Sequence, residues 1–346
     1  MTETTPAASL QTEQIVTDVL ATIERERERE IIGRRFGLFD RKETLEQIGE
    51  MLGITRERVR QLEKSVITRL RAAAEQGTLP HVADFQAKLT GLLRDSGDVA
   101  RVSALTGQLS DQPTREEQAR VAFLSQLAPE LAVVQEDDNF FYSVGIKSAN
   151  DEKALKASVA KLIETIKQIG EPKSIESIAK AASISDQKHA AALASTSKQL
   201  ATLNGRWGLV KWPMVNPKNI RDKIYVILKE NGKHMHFNEI ASAIKDSDFK
   251  RKDVTTQAIH NELIKDKRFV LIGRGIYALK EWGYEKGTVA DIISEVLREA
   301  GEPLHRDEIV KRVLKSRFVK ETTILLNLQG KSQFKRVAKA TYALAE

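Results

Sequence analysis

Four side chains in the first quarter of the chain, Arg56, Glu57, Arg60 and Gln61, carry the hydrogen-bonding groups that tell base pairs apart. Arginine can bridge O6 and N7 of guanine, glutamine can pair with adenine, and glutamate can accept from N4 of cytosine. Their spacing places them on one side of a helix near its N-terminus, the part that a recognition helix presents to the major groove. Thr55, Arg58, Lys64, Arg69 and Arg71 flank them and suit phosphate oxygens, contacts that orient a protein on a duplex without specifying sequence. The chemistry open to this set is recognition rather than bond-making.

Other chemistries have thinner support. His236 with Glu239 and His305 with Glu308 sit three apart, a spacing that could hold a metal. Both pairs fall where a second helix should begin in two related segments, and Ser174 stands there in a third. That exchange favours a helix cap over a ligand. His81, His189 and His260 have no clustered partners. Zero cysteines exclude disulfides, Cys-ligated zinc, iron–sulfur clusters and a cysteine nucleophile. There is no phosphate-cradling GxxxxGK[ST] loop, no glycine-rich dinucleotide turn and no acidic nuclease constellation. We therefore expect a non-enzyme with no cofactor, no metal and no small-molecule substrate.

The elements that must hold the four side chains are legible around them. Thr44 and Gln47 form a capping box at the start of a first helix. Leu45, Ile48 and Leu52 give that helix one apolar face. Gly49 offers close approach, and Gly53 suits the tight turn that follows. Ile54 should be buried after the turn, and Thr55 caps a second helix whose core face is Val59, Leu62, Val66 and Leu70. This is the pattern of a helix-turn-helix.

At this point a resemblance becomes specific. Arg27-Glu28, Ile31-Ile32, Arg35-Phe36-Gly37-Leu38, Thr44–Gly49, Thr55–Glu63 and Leu70-Arg71 resemble region 4 of the sigma-70 family of bacterial RNA polymerase initiation factors. The resemblance covers about a fifth of the chain, residues 14–75. It implies that Arg56, Glu57, Arg60 and Gln61 contact the −35 promoter element and that Ile31–Leu38 packs on the polymerase flap. Glu24-Arg25 replaces the family's usual Leu-Pro, and the stretch after Arg71 lacks its extra basic residues. With about a dozen residues ahead of the domain, the −10-melting region is not expected and a complete sigma factor is not implied.

Length and composition frame the rest. A chain of 346 residues suggests several modules, and 41% hydrophobic residues suffice for packed cores. The N-terminus lacks the features of a signal peptide and no apolar run is long enough to span a membrane, so a cytoplasmic, nucleoid-associated protein is expected. The net charge is +7, with acidic residues in excess over 81–150 and basic ones beyond. After a linker at Gly77–Pro80, a loose repeat recurs: an apolar helix, a glycine (Gly97, Gly170, Gly232, Gly301), a short helix, a third helix, then a hairpin. The expected fold is mainly α: tandem helix-turn-helix and winged-helix modules with small β-hairpin wings. The expected divisions are a disordered N-terminus at 1–13, the helix-turn-helix at 14–77, and winged helices at 81–147, 151–213, 218–284 and 286–346.

The third repeat resembles the HARE-type winged helix found in the delta subunit of bacterial RNA polymerase, in restriction systems and in chromatin regulators. Phe237–Ile240, Phe269–Leu279 and Glu281-Trp282-Gly283 carry that resemblance. Lys250, Arg251, Lys252 and the wing residue Arg274 are its candidate phosphate contacts, with Lys265, Lys267 and Arg268 leading into the wing and Arg317 and Lys320 at the corresponding place in the fourth repeat. The expected partners are double-stranded DNA and the RNA polymerase core. The alternatives are a scaffold that docks on protein and leaves DNA alone, or the targeting subunit of a restriction or repair system.

Overall fold

Local signals start and stop most of the helices. Threonine, serine, asparagine or aspartate caps recur at their N-termini, and left-handed glycines end many of them, each satisfying backbone groups that the helix itself leaves open. The computed structural model describes residues 11–346 except 111, 112, 150, 252, 285, 286 and 346. The described residues hold sixteen α-helices and four three-stranded antiparallel sheets, so the protein is mainly α with small β wings. They divide into two units, Met1–Val210 and Lys211–Glu346.

The first unit opens with α1 (Thr12–Ala21), α2 (Glu26–Phe36), α3 (Leu45–Leu52) and α4 (Arg56–Glu75). The helix therefore begins inside the 1–13 stretch expected to be disordered. Thr12 is buried, because α1 lays Ile15, Val16, Val19 and Leu20 into the core. Two repeats follow. The first is α5 (Val82–Ser96), β1 (Val99–Arg101), α6 (Val102–Leu109), α7 (Arg115–Leu127), β2 (Leu131–Val134) and β3 (Ser143–Ile146). The second is α8 (Glu152–Ile169), β4 (Lys173–Ser174), α9 (Ile175–Ala181), α10 (Gln187–Thr196), β5 (Leu200–Leu203) and β6 (Arg206–Leu209).

The second unit contains the other two. The third repeat is α11 (Ile220–Asn231), β7 (Met235–His236), α12 (Phe237–Asp246), α13 (Thr256–Lys265), β8 (Phe269–Gly273) and β9 (Ile276–Leu279). The fourth is α14 (Val289–Ala300), β10 (Leu304–His305), α15 (Arg306–Ser316), α16 (Glu321–Gly330), β11 (Phe334–Ala338) and β12 (Thr341–Leu344). In all four the last strand lies between the other two, in the orders β1-β3-β2, β4-β6-β5, β7-β9-β8 and β10-β12-β11. Each repeat glycine closes the first helix in the left-handed region, with φ of 91°, 77°, 69° and 66°. The short strand after that glycine was not expected, since two or three residues are too few to show alternation.

One apolar core crosses the boundary expected near residue 80. Val16, Val19, Ile32, Leu38, Val66 and Leu70 share it with Phe85, Leu89, Leu105, Val121, Phe123 and Leu124. Arg120, itself buried, donates from Nε to the Leu38 carbonyl at 2.8 Å and pairs with Glu13 at 2.9 Å. The segments 14–77 and 81–147 are thus one packed body. Part of the Ile31–Leu38 stretch, expected to pack on a polymerase flap, is taken up by the protein's own packing. Ile32 and Leu38 belong to this core, Ile31 to a smaller one with Ile48 and Val59, and all three are fully buried.

Candidate nucleic-acid interface

The helix-turn-helix is fixed at both ends of its turn. Thr44 Oγ1 accepts from the Gln47 amide at 3.3 Å while Gln47 Oε1 accepts from the Thr44 amide at 2.9 Å, completing the box that starts α3. Gly49 has no room for a side chain, since an added Cβ would stand 2.7 Å from the Ile54 carbonyl. The close neighbour is the turn itself rather than a crossing helix. Gly53, at φ 65°, ends α3, and Thr55 Oγ1 accepts from the Arg58 amide at 3.2 Å to start α4. Leu45, Leu52, Ile54 and Leu62 pack around Ile31, Ile48 and Val59, so the opposite side of α4 is turned outward.

That outer side carries Arg56, Glu57, Arg60 and Gln61, all exposed on the first two turns of α4. They engage one another and α3. Arg60 forks onto Glu57, with Nε to Oε2 at 2.8 Å and Nη2 to Oε1 at 2.7 Å. The fork holds the Glu57 carboxyl below the usual carboxylate range and raises the Arg60 guanidinium. Gln61 Nε2 donates to Glu57 Oε1 at 3.4 Å, and Arg56 pairs with Glu46 of α3 at 2.8 Å. These are surface pairs, which hold little energy and exchange readily for stronger acceptors.

The phosphate candidates divide. Thr55, Arg58 and Lys64 are exposed beside the reading set, and the Thr55 hydroxyl keeps its proton for an outside acceptor. Arg69 instead pairs with the buried carboxylate of Glu28, 41 residues earlier, and Arg71 Nε donates to the Gln126 carbonyl at 2.9 Å. Both have partners within the protein, and both remain exposed. In the second unit Lys250, Arg251 and Arg274 are exposed. Lys252 lies outside the described residues. Arg268 is held by Asp266 at 2.8 Å and Asp222 at 3.2 Å, and Arg317 donates to the Leu271 carbonyl at 3.1 Å.

The histidines serve as caps. His236 Nδ1 accepts from the Asn238 amide at 3.2 Å and His305 Nδ1 from the Asp307 amide at 3.4 Å, while Ser174 caps α9 at the equivalent place. Among the described residues, no three His, Cys, Asp or Glu side chains gather as a metal would need, and no helix is long and apolar enough to cross a membrane. Sequence reasoning passed over Gln257 and Asn261, both exposed on α13. Their signal was the spacing of four on a helix whose apolar residues, Ile259 and Leu263, keep the opposite register.

Comparison with known proteins bears on this module alone. The family model for Sigma-70, region 4, matches residues 25–72. Over 49 residues the chain is 55% identical to RNA polymerase sigma factor RpoD of Helicobacter pylori, which covers 14% of this chain and 7% of that protein. Over 55 residues it is 49% identical to RNA polymerase sigma factor SigA of a Bacillus species, covering 16% and 14%. Over 46 residues it is 52% identical to RNA polymerase sigma factor sigB of Arabidopsis thaliana, covering 13% and 8%. The chain thus spans a seventh or less of the length of these relatives. What it shares with them is a sigma-70 region 4 domain at residues 25–72, positioned by α2, α3 and α4.

Proposed function

We propose that this protein is a non-enzymatic, DNA-binding transcription factor that works with bacterial RNA polymerase in the cytoplasm, on the nucleoid. Its region 4 module reads a −35-like element. Arg56, Glu57, Arg60 and Gln61 address base edges, while Thr55, Arg58 and Lys64 hold the flanking phosphates. The observation that carries this reading is the outward placement of those four side chains on the first turns of a doubly capped helix-turn-helix, within the segment that matches sigma-70 region 4. We read the four repeats as winged helices, the third of HARE type, which extend the contact with DNA or polymerase through Lys250, Arg251 and Arg274. Linked weak modules raise avidity through effective concentration.

The scaffold reading draws on one observation, the mutual pairing of Arg60 with Glu57 and of Arg56 with Glu46, which partly neutralises the outer face. Electrophoretic shift of the full chain on promoter duplexes at about 150 mM salt separates the two. A retarded complex is expected, and Arg60→Ala should lower discrimination at one base position by about 5- to 150-fold. No shift with any duplex would sink the DNA-reading model, and equal losses on every sequence for Arg60→Ala would sink base reading by α4.

A further inference from the structure

The four repeats share one topology and differ on the outer face of the third helix. Phe123, Ala192, Asn261 and Leu326 hold one position, each eight residues before the strand that follows. Ala119, Lys188, Gln257 and Thr322 stand one turn earlier. In the first repeat Phe123 is fully buried, its ring 5.1 Å from Phe36 of α2. In the second, Ala192 is buried and α10 closes on the first repeat, with His189 Nδ1 2.8 Å from the Gly97 carbonyl and the Phe141 amide donating to the Thr196 carbonyl at 2.9 Å. These two helices are struts, each packed on the module before it.

The outer face of α13 has a different chemistry. At the strut positions it carries two exposed amides, with Gln257 Nε2 donating to Asn261 Oδ1 at 3.0 Å. Burying them against an apolar module would leave their donors and acceptors unpaired, which is unfavourable. The face suits a surface of alternating donors and acceptors, and exposed cations border it, interleaved with the exposed carboxylates Asp248 and Asp253. Lys250 and Arg251 are exposed on the approach to α13. Arg251 adopts φ 56°, unfavourable for a residue with a Cβ, and its carbonyl is held at 2.6 Å by the Nζ of Lys223, a buried lysine. On the other side Arg274 tips the wing. Its neighbour Gly275 lets the turn sit on the His236 cap, where an added Cβ would stand 2.6 Å from Nε2. His260 of α13 meets Phe237 and Tyr277 edge to face, with centroids 5.1 and 6.2 Å apart, which fixes the rotation of the helix.

We propose that α13 is a second base-reading helix for duplex DNA, with Gln257 and Asn261 addressing adenine edges in the major groove and Lys250, Arg251 and Arg274 on the adjoining phosphates. An amide side chain pairs with N6 and N7 of adenine in two bonds at once. The A-form major groove is too deep and narrow to admit a helix, which separates duplex DNA from duplex RNA as the ligand. This reading rests on the DNA contact proposed for the third repeat and stands apart from α4.

The test is selection of duplexes from a random library by the full chain, in four forms: wild type, Arg60→Ala, the double variant Gln257→Ala/Asn261→Ala, and Lys250→Ala. The wild type should enrich two blocks of sequence. The double variant should lose adenine preference in one block by about 5- to 150-fold per base and keep the block that answers to Arg60. Lys250→Ala should weaken all duplexes alike and flatten the salt slope by about one. A double variant that enriches the same sequences as wild type overturns the proposal, as does a wild type whose every enriched position answers to Arg60. Failure of the α4 reading looks different: Arg60→Ala then changes nothing, while the double variant still does.

Discussion

At the scale of single residues, the outer face of α4 is closed upon itself, its side chains paired with one another and with α3. Glu57 is both the clasp on Arg60 and a base-reading candidate in its own right, so its two roles can be pulled apart. Glu57→Gln should release Arg60 and remove a negative charge from the approach of a polyanion. Affinity for random duplex should therefore rise, while discrimination at one cytosine falls by about 5- to 150-fold. Competition binding against nonspecific DNA measures both, and a parallel rise on every sequence would remove Glu57 from base reading. Tyr142 offers a residue-scale test of the fold. Burial pushes its phenol up to about 12, against the opposing pull of Arg71. A folded-state value above the ordinary one near 10 means the stabilisation is complete below pH 10 and is lost as pH rises through about 12. Thermal melting of the wild type should thus decline over that alkaline window more steeply than that of Tyr142→Phe.

At the scale of elements, α7 decides how the first unit is built. Val121, Ala122, Phe123, Leu124, Ser125 and Leu127 are all buried, so the helix is covered on nearly every side. Phe123→Ala should cost about 3–5 kcal/mol, read as a lower denaturation midpoint, and should loosen α2 in hydrogen exchange because Phe36 loses its partner. A loss under about 1 kcal/mol would mean α7 is not the joint described here. The sequence made α3 and α4 legible because caps, turn glycines and apolar spacing act within a few residues. It could not show that α7 serves two modules. Periodicity tells which face of a helix is apolar and says nothing about what covers it, and in α7 the lack of a polar face was the only hint. The partners of Arg69 and Arg71, Glu28 and Gln126, were hidden for the same reason, since they lie far off in sequence. Gln257 and Asn261 escaped notice because their spacing of four marks an outward face without saying what that face meets.

At the scale of the molecule, the region 4 module does not stand by itself. A fragment ending at residue 80 would expose Val16, Val19, Ile32, Leu38, Val66 and Leu70, all buried in the shared core. An exposed apolar surface of that kind leads to association rather than a stable monomer. We expect residues 1–80 to show no cooperative melt and residues 1–210 to show one by circular dichroism. A sharp transition for the shorter fragment would refute the shared core. The common core also sets a clock during synthesis. Helix α4 is complete at Glu75, yet α7 ends only at Leu127. At about 5–20 residues per second, several seconds of translation separate the two events. In that interval the nascent chain offers an unfinished apolar surface to chaperones and no dependable grip on DNA. The helix-turn-helix should therefore acquire its stable fold as a timed step, set by the ribosome's progress through the first repeat.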